Sequence, residues 1–228
     1  MVLYYITDRR QFPGNTQEQR RRLLAKIAEA ARAGVDMIQL REKDLPAREL
    51  EELAVEAVRL VREHAVRTKL LINSRVDVAI AAGADGVHLP SDDISASEAR
   101  VVFGKAGGRA PIIGVSCHSV SQVRLAEAHG ADFAVLGPVF EKSGSPGLGL
   151  GELRAACGQV PARAVEAALP AGRMPILALG GVNLQNARAC VEAGAAGIAA
   201  IRLFQQNEIA AVVEKIKIRH AGTETQRN

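Results

Sequence analysis

The sequence predicts a single (β/α)8 barrel of the TIM type. Three observations carry that prediction: eight short apolar runs, amphipathic stretches of helical length between them, and a recurring segment in which a helix closes on glycine before a buried strand. With 228 residues, 48% of them apolar, the chain suits one large domain with a substantial core. Aromatics make up only 3% with no Trp, so Ala, Val, Leu and Ile fill the many strand-helix contacts. The barrel is placed over residues 1–220, followed by a polar tail over 221–228.

In chain order, the strands are expected at Val2 to Ile6, Asp36 to Leu40, Lys69 to Ile72, Gly86 to Leu89, Ile112 to Val115, Phe133 to Leu136, Ile176 to Leu179 and Gly197 to Ile201. Each is a short apolar run bounded by turn residues. The helical patterns between them run Gln17 to Ala33, Ala47 to Arg67, Val76 to Ala82, Ala96 to Phe103, Ser121 to His129, Gly151 to Leu169 and Leu184 to Ala193, with a last one from about Asn207 to Ile218. The segments AGVDMIQL, AGADGVHL, HGADFAVL and AGAAGIAA, starting at Ala33, Ala82, His129 and Ala193, show how helix passes to strand. Doubly wound sheets usually have fewer strands than these eight.

Charge and cysteines narrow the function classes. The formal charge is +4, but the cations are dispersed among acids without aromatic interleaving, so no nucleic-acid partner is expected. The cluster Arg20-Arg21-Arg22 reads as a solvated helix face. Cys117, Cys157 and Cys190 are too widely spaced for a metal pattern or a disulfide framework, which fits a reducing compartment. No apolar run is long enough to span a membrane and no export leader is legible, so a cytoplasmic protein without membrane partners is expected.

A barrel locates its chemistry in the loops after each strand. After the second strand, Arg41 and Lys43 stand two apart above Gln39; two converging cations there suit a phosphate or diphosphate, the alternative being an ion pair through Glu42 or Asp44. Gly180-Gly181 after strand seven, and the turn after Ile201, occupy the place where barrels bind phosphate through backbone N–H groups. Asn73 and Asp93 offer oxygen ligands for Mg²⁺, or Asp93 caps the helix starting near Ser95. His118 is either a proton carrier lining the pocket or a cap for the helix beginning at Ser119. Ser116 shares its side of the strand, while Cys117 alternates away, which disfavours a Cys-His nucleophile.

The ordered set YYITDRR, IQLREKD, INSRVDVAIAAGADGVHLP, GVSCHS, ADFAVLGPVF, LALGGV and AGAAGIAAI resembles the thiamine phosphate synthase/TenI family across essentially the whole chain. The resemblance implies a usually homodimeric barrel that binds a thiazole phosphate in thiamine biosynthesis. Two activities occur there. The synthase joins hydroxymethylpyrimidine diphosphate to the thiazole phosphate with Mg²⁺ and releases diphosphate. TenI-type members aromatise a thiazole carboxylate phosphate by moving a proton, with no cofactor.

Position by position, Gln39, Arg41, Lys43, Asn73, Asp93 and Ser116 match the synthase contacts, with Asp93 as the Mg²⁺ ligand. Ser74 stands where synthases usually carry a second metal-binding Asp, and Lys142-Ser143-Gly144-Ser145 replaces their Thr-x-Thr-Lys, with Lys142 the candidate substitute for the loop lysine. Ser74, the Leu89-Pro90-Ser91 segment and His118 match the TenI pattern. Arg202 replaces a serine that helps hold the thiazole phosphate; it is either a charged donor or turned outward, leaving contacts from Gly180, Gly181 and Ile201. On residues alone the tautomerase reading comes first, with His118 moving the proton. The synthase is the alternative, and a non-catalytic phosphate-ligand binder the third reading.

Overall fold

The computed structural model describes residues 1–65, 67–141, 144, 146–158 and 174–221. Its eight strands are β1 (Val2–Ile6), β2 (Met37–Leu40), β3 (Lys69–Asn73), β4 (Gly86–Leu89), β5 (Ile112–Cys117), β6 (Phe133–Leu136), β7 (Ile176–Leu179) and β8 (Gly197–Ala200). They close in sequence order into a parallel barrel, with β8 returning to β1 at the pair Val2 and Gly197. The predicted (β/α)8 fold is the observed one.

Helices α1 (Thr16–Arg32), α2 (Ala47–His64), α3 (Val76–Ala81), α4 (Ala96–Lys105), α5 (Val120–Ala128), α6 (Gly149–Cys157) and α7 (Ala187–Glu192) alternate with the strands. Two more, α8 (Arg202–Gln205) and α9 (Ile209–Ala221), follow β8. The differences from expectation lie at the ends of elements. Helix α2 stops at His64 because Ala65 turns extended, β5 runs on to Cys117, and β8 ends one residue early because Ile201 caps α8, at the turn expected there. The later part of the stretch predicted from Gly151 to Leu169 and residues 222–228 of the tail lie outside the described residues. Among the described residues no helix is long and apolar enough to cross a membrane.

The period-two alternation of each strand separates two cores. Outward residues such as Leu3, Ile38, Leu70, Val87, Ile113 and Ile198 pack under the helices in one large aliphatic layer. Inward residues Tyr4, Ile6, Leu71, Phe133, Val135, Leu177 and Ala199 fill the lumen. Gly114 makes that filling possible: a Cβ there would lie 2.3 Å from Phe133 Cζ and 2.8 Å from His88 Nδ1.

The recurring segment has a structural use at the N-terminal end of the barrel. Asp36, just before β2, accepts a hydrogen bond from Leu3 N of β1 at 2.8 Å. Asp85, before β4, accepts from Leu70 N of β3 at 2.9 Å, and Asp132, before β6, from Ile113 N of β5 at 2.7 Å. Each aspartate satisfies a strand-end donor that the ladder leaves open. The fourth copy has Ala196 in that place.

Candidate active site

The C-terminal mouth of the barrel has a charged side and a neutral side. On the charged side, the loops after β1 and β2 are joined through buried Thr7, which donates to Glu42 Oε1 at 2.7 Å and accepts from Arg41 N at 3.0 Å. Arg9 donates to Glu42 from its backbone at 3.0 Å and from Nη1 at 3.1 Å, then forks onto Asp44 at 2.7 and 2.9 Å. Burial pushes the Glu42 carboxyl up, against the hydrogen bonds from Thr7 and Arg9. The more exposed Asp44 is held below its usual range by the Arg9 hydrogen bonds.

This network replaces the ion-pair alternative for Arg41 and Lys43. Arg9 takes both acids, and among the described residues neither Arg41 nor Lys43 forms a salt bridge. Both instead line, with Asp8, Arg10, Glu42 and Asp44, a cavity of about 220 Å³ at the mouth. Glu42 opens a turn in which Leu45 N donates to Glu42 O at 3.3 Å, with Lys43 and Asp44 exposed at its corner.

The neutral side starts at Gln39, whose Nε2 donates to Asn73 Oδ1 at 2.9 Å; Asn73 Nδ2 then donates to Ser74 Oγ at 3.0 Å. Ser74 has φ 59, a left-handed conformation that Asn and Asp tolerate better than Ser. On the adjacent strand β4, in register with Asn73, His88 sits between Tyr4, whose hydroxyl is 3.2 Å from Nδ1, and Ser116, whose Oγ is 2.8 Å from Nε2. Burial, with the nearby charge of Arg41, lowers the His88 pKa to about 3, so the ring is neutral. Gln39, Asn73, Ser116 and Arg41 are thus brought together around residues that sequence reading missed. His88 had one signal, a polar residue inside the run Gly86 to Leu89 on the inward-facing phase.

The other predicted residues spread around the rim. His118 is exposed; its Nδ1 lies 2.6 Å from Gly137 O, which only accepts, so Nδ1 carries the proton and a neutral ring presents Nε2 as a base. The helix cap is Ser119, accepting from Gln122 N at 3.2 Å, which removes the capping alternative for His118. Cys117 is buried in the outer layer, its thiol pushed up to about 11 by burial. Asp93 is exposed and accepts from Ile94 N at 2.8 Å, while the α4 cap is Ser95 in a capping box with Glu98. Gly180 and Gly181, with φ 92 and 65, and Ile201 each follow the β7-β8 pair Leu179 and Ala199 by one or two residues, and so share one sector. Arg202 is exposed at the start of α8. Lys142 lies outside the described residues.

A family model described as thiamine monophosphate synthase matches residues 3–204. The chain belongs to that family. A putative thiamine-phosphate synthase of Geobacter sulfurreducens is 43% identical to this family member over 204 residues, spanning 87% of this chain and 84% of its own. The thiamine-phosphate synthase of Methanoculleus marisnigri is 35% identical over 225 residues, spanning 98% and 97%. A solved thiamine phosphate pyrophosphorylase from Pyrococcus furiosus superposes with a TM-score of 0.74 at 31% identity, over 95% of this chain and 93% of that one. The thiamine monophosphate synthase family therefore accounts for the fold and places the chain in thiamine biosynthesis.

Proposed function

We propose that the protein is a thiamine phosphate synthase, joining hydroxymethylpyrimidine diphosphate to a thiazole phosphate. The observation that carries this reading is the pairing of Arg9 with both Glu42 and Asp44, which leaves Arg41 and Lys43 at the mouth beside the neutral groups of Gln39, Asn73 and Ser116. Names of relatives at 35% to 43% identity support it. They move weight from the tautomerase, which residues alone put first, to the synthase.

In that reaction the bond from the pyrimidine methylene carbon to the diphosphate oxygen breaks, and diphosphate leaves with the electron pair. The thiazole nitrogen then bonds to the methylene carbon. Arg41 and Lys43 neutralise the charge that grows on the leaving group, in a mouth where water screens it less than in bulk. Gln39, Asn73 and Ser116 orient the heterocycle, and the thiazole phosphate is assigned to the backbone of Gly180, Gly181 and Ile201 with Arg202 at its edge. Among the described residues no group of three or more His, Cys, Asp or Glu could hold a metal. Mg²⁺ needs only one or two carboxylates plus substrate phosphates, and exposed Asp93 on the loop after β4 is the carboxylate that would hold it. When bound, the ion adds positive charge against the leaving group.

The geometry of His118 favours a second reading, thiazole tautomerase. Gly137 O fixes its tautomer so that Nε2 is available to move a proton, and Ser74 in place of a metal carboxylate costs that reaction nothing. A homodimer goes with either reading and is checked by light scattering. Purified protein given Mg²⁺ and both synthase substrates should form thiamine phosphate, with His118→Ala retaining the activity. Turnover of only the thiazole carboxylate phosphate, lost in His118→Ala, would replace the first reading with the second. No turnover in either assay would leave a phosphate-ligand binder.

A further inference from the structure

Tyr4 and His88 lie below the ligand-facing residues, and their hydrogen bonds have a direction. Tyr4 is completely buried, and among the described residues its hydroxyl is bonded to His88 Nδ1. A phenol proton in a dry core needs an acceptor, and a hydroxyl left without one is expensive. Tyr4 therefore donates and Nδ1 accepts, so the neutral imidazole carries its proton on Nε2, 2.8 Å from Ser116 Oγ. Nε2 donates to that oxygen, and the proton of the Ser116 hydroxyl is left for the mouth. The rings are held in place: Phe133 packs edge-on to Tyr4 at 5.4 Å and tilted against His88 at 5.8 Å, in the room left by Gly114.

We infer that Tyr4 and His88 are positioning residues that fix Ser116 as a hydrogen-bond donor to the bound ligand. The ligand atom that receives its proton is then an acceptor, an unprotonated ring nitrogen of the pyrimidine rather than the exocyclic amino group. The identity of the ligand rests on the synthase reading; the direction of the hydroxyl does not.

Nitrogen-15 NMR of the unliganded wild-type protein reads the tautomer directly. His88 is expected to show a protonated Nε2 and a bare Nδ1 at neutral pH, with that preference weakened in Tyr4→Phe. Calorimetric titration with the pyrimidine diphosphate tests the consequence. Tyr4→Phe and Ser116→Ala are each expected to weaken binding about tenfold, and the double variant should lose no more than either single one. A proton on Nδ1 in the wild type overturns the inference whatever the activity, as do additive losses in the double variant, which would mean that Tyr4 acts through general packing. A protonated Nε2 in a protein that neither binds nor turns over the pyrimidine diphosphate would support the direction of the hydroxyl and sink the synthase reading alone. Should Tyr4→Phe fail to fold, the wild-type spectrum still decides the direction.

Discussion

At the N-terminal end of the barrel one device is used three times: Asp36, Asp85 and Asp132 each stitch a strand to its neighbour through a single backbone N–H. At the C-terminal end nothing repeats. Buried Arg9 and Glu42 form a charge network with exposed Asp44 on one side, Tyr4, His88 and Ser116 a neutral hydrogen-bonded chain on another, and His118 hangs from Gly137 O on a third. Repetition serves stability, since every strand end poses the same backbone problem. The mouth must instead present different chemistry to different parts of a ligand, which is what barrels use that end for.

The contrast is most strongly tested at Glu42. Glu42→Ala leaves Arg9 enclosed with one acid and strips the acceptor from Thr7; denaturant unfolding is expected to show a loss of about 3 to 5 kcal/mol. Arg41→Ala should do the opposite. Stability should hold, while kcat/KM for the pyrimidine diphosphate falls about a hundredfold, near 3 kcal/mol of transition-state stabilisation.

His88 makes the neutral side sensitive to pH in a defined direction. Its folded pKa of about 3 lies below the ordinary 6.5, so below pH 6.5 the unfolded chain takes up a proton that the folded chain refuses. Stability should therefore fall as pH drops from 6.5 toward 3, by about 2 kcal/mol between pH 6.5 and 5. Urea midpoints of wild type and His88→Gln check this, and the variant should lose less. Smallest of all is Asp36→Ala, which leaves Leu3 N without its acceptor; a loss of about 1 kcal/mol in stability and none in kcat is expected.

The same contrast explains what the sequence makes legible. The N-terminal end is local and repeated, so the glycine-turn segments announce four of the helix-to-strand passages, three of them with an aspartate, and the strands fall within a residue or two of their predicted ends. The mouth is assembled from partners far apart in the chain: Arg9 and Glu42 are 33 residues apart, His88 and Ser116 are 28, Tyr4 and His88 are 84. Spacing rules do not reach across such separations. Gln39, Asn73 and Ser116 are legible because they lie at or next to strand ends, whereas His88 is hidden by the apolar run that carries it. The α4 cap is a local signal, since Ser95 and Glu98 spell a capping box that places the cap two residues after Asp93.

The most direct measurement follows both products of one reaction. Wild-type protein with Mg²⁺, hydroxymethylpyrimidine diphosphate and the thiazole phosphate should release diphosphate and form thiamine phosphate in equal amounts. Diphosphate released without thiamine phosphate, or neither product, would contradict the assignment of the mouth to that coupling.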